Sequence, residues 1–189
     1  MSQVACIGLG VMGYPMAGHL AAAGHQLSVY NRTTQKAEKW VVEHGGQACS
    51  TPRQAAEGAS LVFSCVGNDD DLRAVILGPD GALAGMAAGG ILIDHTTTSA
   101  EVAREIAALC EEAGVDMLDA PVSGGEAGAV NGALTIMAGG LAPVFETAQP
   151  AMMHFARAAR LMGPIGSGQL TKMVNQICIG GLLQGLSEA

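Results

Sequence analysis

The strongest constraint on how this chain folds is its opening, where Val4-Ala5-Cys6-Ile7 runs directly into Gly8-Leu9-Gly10-Val11-Met12-Gly13. An apolar run rich in β-formers, a Gly-x-Gly-x-x-Gly turn and a helical pattern from Tyr14 to Ala23 read as strand, tight turn and helix. In that spacing the first glycine permits the turn and the second lets the backbone approach a pyrophosphate. The third lets the helix pack on the strand. Phosphates would then meet the free N–H groups and the positive end of the helix dipole. The glycine spacing alone is a weak signal, but a second β-type run at Gln26–Tyr30 completes a strand–helix–strand unit around it. The contrary reading is a glycine-rich turn with no ligand.

The residues just past the second strand bear on which dinucleotide is held. NAD sites commonly place Asp or Glu there to bond the ribose 2′-hydroxyl; this chain has Asn31-Arg32-Thr33-Thr34. A carboxylate would repel a 2′-phosphate, whereas a guanidinium pairs with one bidentately. The expectation is NADP(H), with Arg32 on the phosphate and Asn31 and Thr33 as supporting donors. NAD(H), held by Asn31 while Arg32 stays in solvent, is the alternative.

The remaining chain repeats the same alternation. Strand patterns fall near 3–7, 26–30, 46–49, 60–66, 90–94, 116–119, 133–138 and 158–162. Helical patterns fall near 11–24, 34–44, 52–57, 69–77, 99–113, 142–153 and from about 167 onward. Thr33 or Thr34, Thr51 before Pro52, and Ser99 stand where N-caps are expected. Alternating β and α patterns predict an α/β fold, a doubly wound and mostly parallel sheet of the Rossmann type. The last segment, Gln169–Ala189, is one helical pattern carrying Leu170, Met173, Val174, Ile177, Leu182, Leu183 and Leu186. So apolar a helix needs a covering surface, either another subunit of a homo-oligomer or more of a longer protein.

Composition narrows the partners. The 189 residues suit one domain of ordinary size, or one plus a fragment. With 49% hydrophobic and only 3% aromatic residues, the core must be built from Ala, Val, Leu, Ile and Met. A net charge of −8 argues against nucleic acid. Five scattered cysteines without C-x-x-C spacing read as reduced thiols of a cytoplasmic protein. The five histidines show no ligand spacing, so no metal is expected. No apolar run is long enough to span a bilayer, so no membrane partner is expected either.

Three further segments could carry chemistry. In Asp119-Ala120-Pro121-Val122-Ser123-Gly124-Gly125 a hydroxyl and two unobstructed backbone N–H groups suit a carboxylate, unless this is a plain turn. In Gly166-Ser167-Gly168-Gln169-Leu170-Thr171-Lys172-Met173-Val174-Asn175-Gln176 a lysine shares a helix face with two amides. A cation and amides aimed into a cleft could polarise a carbonyl and move a proton; the alternative is a solvated helix lysine. Asp94-His95-Thr96-Thr97-Thr98 follows a buried strand, at the sheet edge where ligands of open α/β folds bind, and Cys65-Val66-Gly67-Asn68 is placed similarly. For the hydroxyls and amides of those two runs, helix capping is the competing role.

Taken together, Gly8–Gly13, Asn31-Arg32-Thr33, Asp119–Gly125, Gly132–Gly140 and Gly166–Gln176 resemble the β-hydroxyacid dehydrogenase family, along the whole chain. Members of that family include 3-hydroxyisobutyrate dehydrogenase and tartronate semialdehyde reductase. The resemblance implies that Gly8, Leu9, Gly10, Val11, Met12, Gly13, Asn31, Arg32, Thr33, Cys65, Val66, Asn68 and Thr96 or Thr97 meet the cofactor. It implies that Ser123, Gly124 and Gly125 bind a substrate carboxylate, and that Lys172 is the catalytic acid/base. A polar residue four positions on helps orient substrate; it is Asn in many relatives and Gln176 here, after Asn175. The Asn–Gln pair looks more like the tartronate semialdehyde reductase branch. The resemblance also implies a boundary near 164, with residues 165–189 beginning an all-helical domain. The rival readings are a non-catalytic dinucleotide-binding module, expected to lack the lysine, and an imine reductase, which typically lacks the lysine and the serine.

Overall fold

The computed structural model describes residues 2–189. Strands β1 (Gln3–Ile7), β2 (Gln26–Tyr30), β3 (Gln47–Ala48), β4 (Leu61–Ser64), β5 (Ile91–Asp94) and β6 (Asp116–Asp119) form a parallel sheet in the order β3-β2-β1-β4-β5-β6. Beyond β6 the sheet continues with β8 (Leu134–Gly139), antiparallel both to β6 and to the two-residue β7 (Val122–Ser123). Strand β9 (Ala156–Gly163) pairs with β8 in parallel. This is the expected doubly wound order, with its direction reversing between β1 and β4.

Both faces of the sheet are covered, which is why the strands read as continuous apolar runs rather than alternating ones. On one face Val4, Cys6, Leu27, Val29, Phe63 and Ile93 pack against α1 (Gly13–Ala22), α2 (Thr34–His44) and α7 (Ala142–Met152). On the other, Ala5, Ile7, Val62 and Leu92 pack against α3 (Pro52–Ala56), α4 (Asp69–Leu77) and α5 (Ala100–Glu112). Small side chains let the layers approach closely, and the scarce aromatics are placed deep. Trp40 of α2 is fully buried and donates its indole N–H to the Tyr14 carbonyl at 3.1 Å.

Two of the expected caps form and one does not. The Thr51 and Ser99 hydroxyls accept from the Gln54 and Val102 N–H groups, both at 3.1 Å. Thr33 holds the N-cap position of α2, but its side chain makes no capping bond. Three short elements lie outside the predicted pattern: β7, the six-residue α6 (Gly125–Val130) and a 3-10 turn at Ala82–Gly85. Each is too short for periodicity to reveal.

The last helix, α8 (Ser167–Ser187), leaves the sheet after its second turn. Only Gly168, Gln169 and Lys172 of its 21 residues are buried. Met173, Val174, Ile177, Leu182, Leu183 and Leu186 are all exposed.

Trp40→Ala removes the largest fully buried side chain and its bond to the Tyr14 carbonyl. It should cost about 3–5 kcal/mol of unfolding free energy. Urea denaturation of the two proteins measures this, and a loss well under that range would mean that α2 contributes little to the core.

Candidate functional site

The first cleft forms where the strand order reverses. β1 ends at Ile7, and the next residue, Gly8, has a φ of +92° in the left-handed region. A Cβ there would collide with the Cys65 carbonyl, and one on Gly13 would collide with the Gly8 carbonyl. A Cβ on Gly10, between them, would have no neighbour within 4 Å. The outer glycines are therefore fixed by close packing, while the middle one opens on empty space, as a diphosphate-binding turn requires. The adjoining cavity, of about 700 Å³, is lined by Gly8, Gly10, Val11, Met12, Asn31, Arg32, Thr33, Lys36, Cys65 and Val66, with α4 and the loop after it opposite. Its shape, the free α1 N-terminus and the absent side chain at Gly10 fit a dinucleotide.

Several predicted contacts have other roles. The Leu9 side chain is buried in the core, and its N–H donates to the Asn31 Oδ1 at 2.9 Å. The Asn31 Nδ2 donates to the Thr33 carbonyl at 3.1 Å. Asn31 thus laces the β1–α1 turn to the β2–α2 turn, and its amide is engaged at both ends. Asn68 caps α4, accepting from the Asp71 N–H at 2.9 Å. Thr96 is buried; its hydroxyl donates to Asp94 at 2.6 Å and accepts from the Val66 N–H at 3.1 Å. Thr97 is exposed. Arg32 is 83% exposed and pairs with Asp71 across the cavity at 3.1 Å, a partner that the sequence does not indicate.

The second group of residues stands at the ends of β5 and β6, where Asp94 and Asp119 are neighbours in register and both fully buried. The Asp94 Oδ1 collects the Ser64 hydroxyl at 2.8 Å together with the hydroxyl and N–H of Thr96, while its Oδ2 has no partner. Burial pushes this carboxyl up to about 7, against the pull of those donors. Asp119 is also raised by burial, in spite of the N–H groups of Gly166 and Gln169 on its two oxygens at 2.6 and 2.8 Å. Gln169 is buried as well: Oε1 accepts from the Thr98 N–H at 3.1 Å, and Nε2 donates to the Thr96 carbonyl at 2.7 Å. Asp94, Asp119 and Gln169 all lie within the motifs singled out in the sequence, yet sequence reasoning assigns none of them a role. The available signal is an acid ending each of two apolar strands.

Lys172 follows one turn after Gln169. It is 8% exposed, and among the described residues no carboxylate lies within 4.0 Å of its ammonium. Burial holds it below the ordinary lysine range. Asn175 is half-buried with its Nδ2 unpartnered, and Gln176 is exposed. Ser123 is half-buried on β7, opposite Thr135 of β8. Gly124 and Gly125, both at positive φ and exposed, form the start of α6. Burial raises the Cys65 thiol to about 12, so it stays protonated beside the glycine turn. The described residues hold no group of three His, Cys, Asp or Glu able to bind a metal, and none of their helices is long and apolar enough to cross a membrane.

Residues 3–172 match the model of the NAD-binding domain of 6-phosphogluconate dehydrogenase. The chain belongs to that family. An uncharacterised oxidoreductase of Shewanella frigidimarina is 61% identical over 188 residues, covering all of this chain and 65% of the relative. An NAD-dependent L-serine dehydrogenase of Pseudomonas aeruginosa is 40% identical, covering all of this chain and 63% of that protein. The solved 3-hydroxyisobutyrate dehydrogenase of Mycobacterium tuberculosis, determined with L-serine, is 31% identical with a TM-score of 0.89, over 95% of this chain and 60% of that one. These relatives bear out the resemblance to β-hydroxyacid dehydrogenases, and the chain spans about two thirds of their length or less. An imine reductase from Myxococcus stipitatus, 19% identical with a TM-score of 0.89, shares the fold alone.

The buried pair at 94 and 95 gives the fold two opposed responses to pH. His95 stacks on Phe63, with its Nδ1 2.6 Å from the Ala120 carbonyl, and burial lowers it from 6.5 to about 4. The unfolded chain therefore takes up that proton first, and acidification from 6.5 to 4 destabilises the fold. For Asp94, raised from 3.8 to about 7, the folded state takes up the proton first, and acidification over that range stabilises the fold. Asp94→Asn removes the second response only. Its unfolding free energy should fall more steeply than that of the wild type as pH drops from 7 to 4; parallel curves in urea titrations would contradict the raised carboxyl.

Proposed function

We propose that this family member serves an oxidoreductase that interconverts a short β-hydroxy acid and its semialdehyde, with Lys172 as the proton donor and acceptor. The observation that carries this reading is a buried, unpaired lysine on a helix anchored at the carboxyl ends of the parallel strands. In such sheets ligands bind at that edge. A bound nicotinamide supplies or accepts the hydride at the substrate carbon. Gly8, Gly10, Val11 and Met12 would cradle its diphosphate, with Cys65, Val66 and the 96–97 segment toward its reactive end. Ser123 and the N–H groups of Gly124 and Gly125 would hold the substrate carboxylate. Lys172 would protonate the carbonyl oxygen in reduction and take that proton back in oxidation. A lysine whose charged form is disfavoured by burial gives up its proton more readily near neutral pH.

L-Serine and 3-hydroxyisobutyrate, the compounds in the relatives' names, share a hydroxymethyl group one carbon from a carboxylate. That shared chemistry supports the substrate class without choosing its side chain. The proposed organisation is a sheet domain over 1–164 and the start of a helical region at 165–189. Association of subunits through α8 belongs to the same reading, supported by the apolar side chains that helix exposes. A cytoplasmic setting fits the free thiols. Lys172→Met should lower turnover of a β-hydroxy acid by about 10²–10⁴-fold and leave cofactor affinity nearly unchanged. Turnover retained in the variant would reject the acid/base role, and turnover of cyclic imines in its place would favour the reductase alternative.

For the cofactor we propose NADP(H), with Arg32, Thr33 and Lys36 around the 2′-phosphate. In support, no carboxylate ends β2 and the Arg32 guanidinium is exposed on the cavity wall. The name of the serine dehydrogenase relative speaks for NAD, and that remains the alternative. Arg32→Ala should weaken NADPH by about 1.5–3 kcal/mol, tenfold or more, and NADH by far less. Fluorescence titration with both cofactors measures this, and tighter binding of NADH to the wild type would overturn the preference.

A further inference from the structure

Helix α8 cannot cap itself. Its N-cap is Gly166, which has no side chain to accept from the free N–H groups of the first turn. Those groups are also buried against the sheet. A Cβ on Gly168 would strike the carbonyls of Met137 and Asp119, so water has no room beside them. The missing acceptor comes from 47 residues earlier in the chain: Asp119 Oδ1 takes the Gly166 N–H at 2.6 Å, and Oδ2 takes the Gln169 N–H at 2.8 Å. A negative carboxylate also complements the positive end of the helix dipole. These two bonds fix the height of α8 over β6. Gln169 ties its rotation to a second element by bonding both the Thr98 N–H and the Thr96 carbonyl in the segment after β5. Lys172 is three residues further along and therefore on the same helix face.

We infer that Asp119 and Gln169 are the positioning residues for Lys172: one buried carboxylate clamps the start of α8 to the end of β6, and one buried amide sets its rotation against the 96–98 segment. Neither touches the reacting atoms. Their effect is to keep the amine desolvated at one place on the sheet edge, although little else in α8 is buried. The inference rests on the acid/base reading of Lys172 for its consequence in turnover, but the clamp itself can be measured without turnover.

The experiment compares the 189-residue protein with Asp119→Asn and Gln169→Met. Asparagine presents an NH₂ group to one of the two backbone donors, and methionine loses both bonds to the 96–98 segment without adding a charge beside Lys172. Amide hydrogen exchange should rise at least tenfold across residues 166–172 in Asp119→Asn, with β1 and β4 unchanged. The pH midpoint for acylation of the Lys172 amine by acetic anhydride should move up toward that of an ordinary lysine. Gln169→Met should move both readouts in the same direction, and it carries the test if Asp119→Asn does not fold. Affinity for NADPH and NADH should stay within twofold. Where the wild type turns over a β-hydroxy acid, kcat should fall at least tenfold with little change in the cofactor KM. An unchanged acylation midpoint overturns the inference even if exchange rises, since the clamp would then be structural only. In a wild-type protein that shows no turnover, the exchange and acylation results decide the clamp.

Discussion

At two points on the carboxyl edge of the sheet, backbone must lie directly on backbone, and the rest of the molecule is arranged around that requirement. In the first contact, Gly13 rests on the Gly8 carbonyl and Gly8 on that of Cys65, so α1 begins immediately over the crevice between β1 and β4. In the second, Gly168 rests on the Met137 and Asp119 carbonyls, with Gly139 behind it, so α8 begins over the end of β6. A methyl group at any of these positions would lift a helix from the sheet. The first contact opens a cavity lined by helix N–H groups; the second closes one off. That difference separates a place for phosphates from a place for an anchored lysine.

The charges follow the same division. Asp94 and Asp119 are neighbours in register and equally buried, yet their surroundings differ. Asp119 faces two helix N–H groups with one oxygen each, which offsets much of the cost of burying a carboxylate. Asp94 has three donors on one oxygen and none on the other, and burial raises its proton affinity in spite of those donors. Neither acid approaches Lys172 closely enough to form an ion pair among the described residues, so burial alone acts on the amine. An acid beside it would pull the amine's pKa up and make proton release harder. With the carboxylates engaged by hydroxyl and backbone donors and none of them paired with the lysine, both kinds of group are buried without opposing one another.

The fold is legible in the sequence because its strands are buried on both faces. Leu61–Ser64 and Ile91–Asp94 are short apolar runs between helical patterns, and no other arrangement buries them so fully. The glycine turn is legible because each of its three positions has a separate steric reason. The two-residue β7 leaves no such trace, and neither do the bonds that join distant parts of the chain. Asn31, expected to face a ribose, also ties two turns together, because an amide beside unpaired backbone groups satisfies them first. Gln169 looks like an ordinary polar residue in sequence, although a glutamine one turn before a lysine lies on that lysine's face. The 71-residue separation from Thr98 has no mark in local sequence.

The choice between cofactors shows why some of the site could not be read from motifs. With the Asn31 amide engaged at both ends, the proposed selection at the adenosine ribose would rest on Arg32, Thr33, Lys36 and Asp71, all on the cavity wall. The first three would favour a 2′-phosphate, while Asp71 already pairs with Arg32 and opposes one. A phosphate would have to compete for a guanidinium that now has a neighbour of the phosphate's own sign. Arg32 is mostly in solvent, where charges are screened over about 8 Å at physiological ionic strength. Discrimination built from such groups depends on salt. A motif records that an arginine follows β2; the balance between that arginine and a carboxylate 39 residues later belongs to the folded molecule.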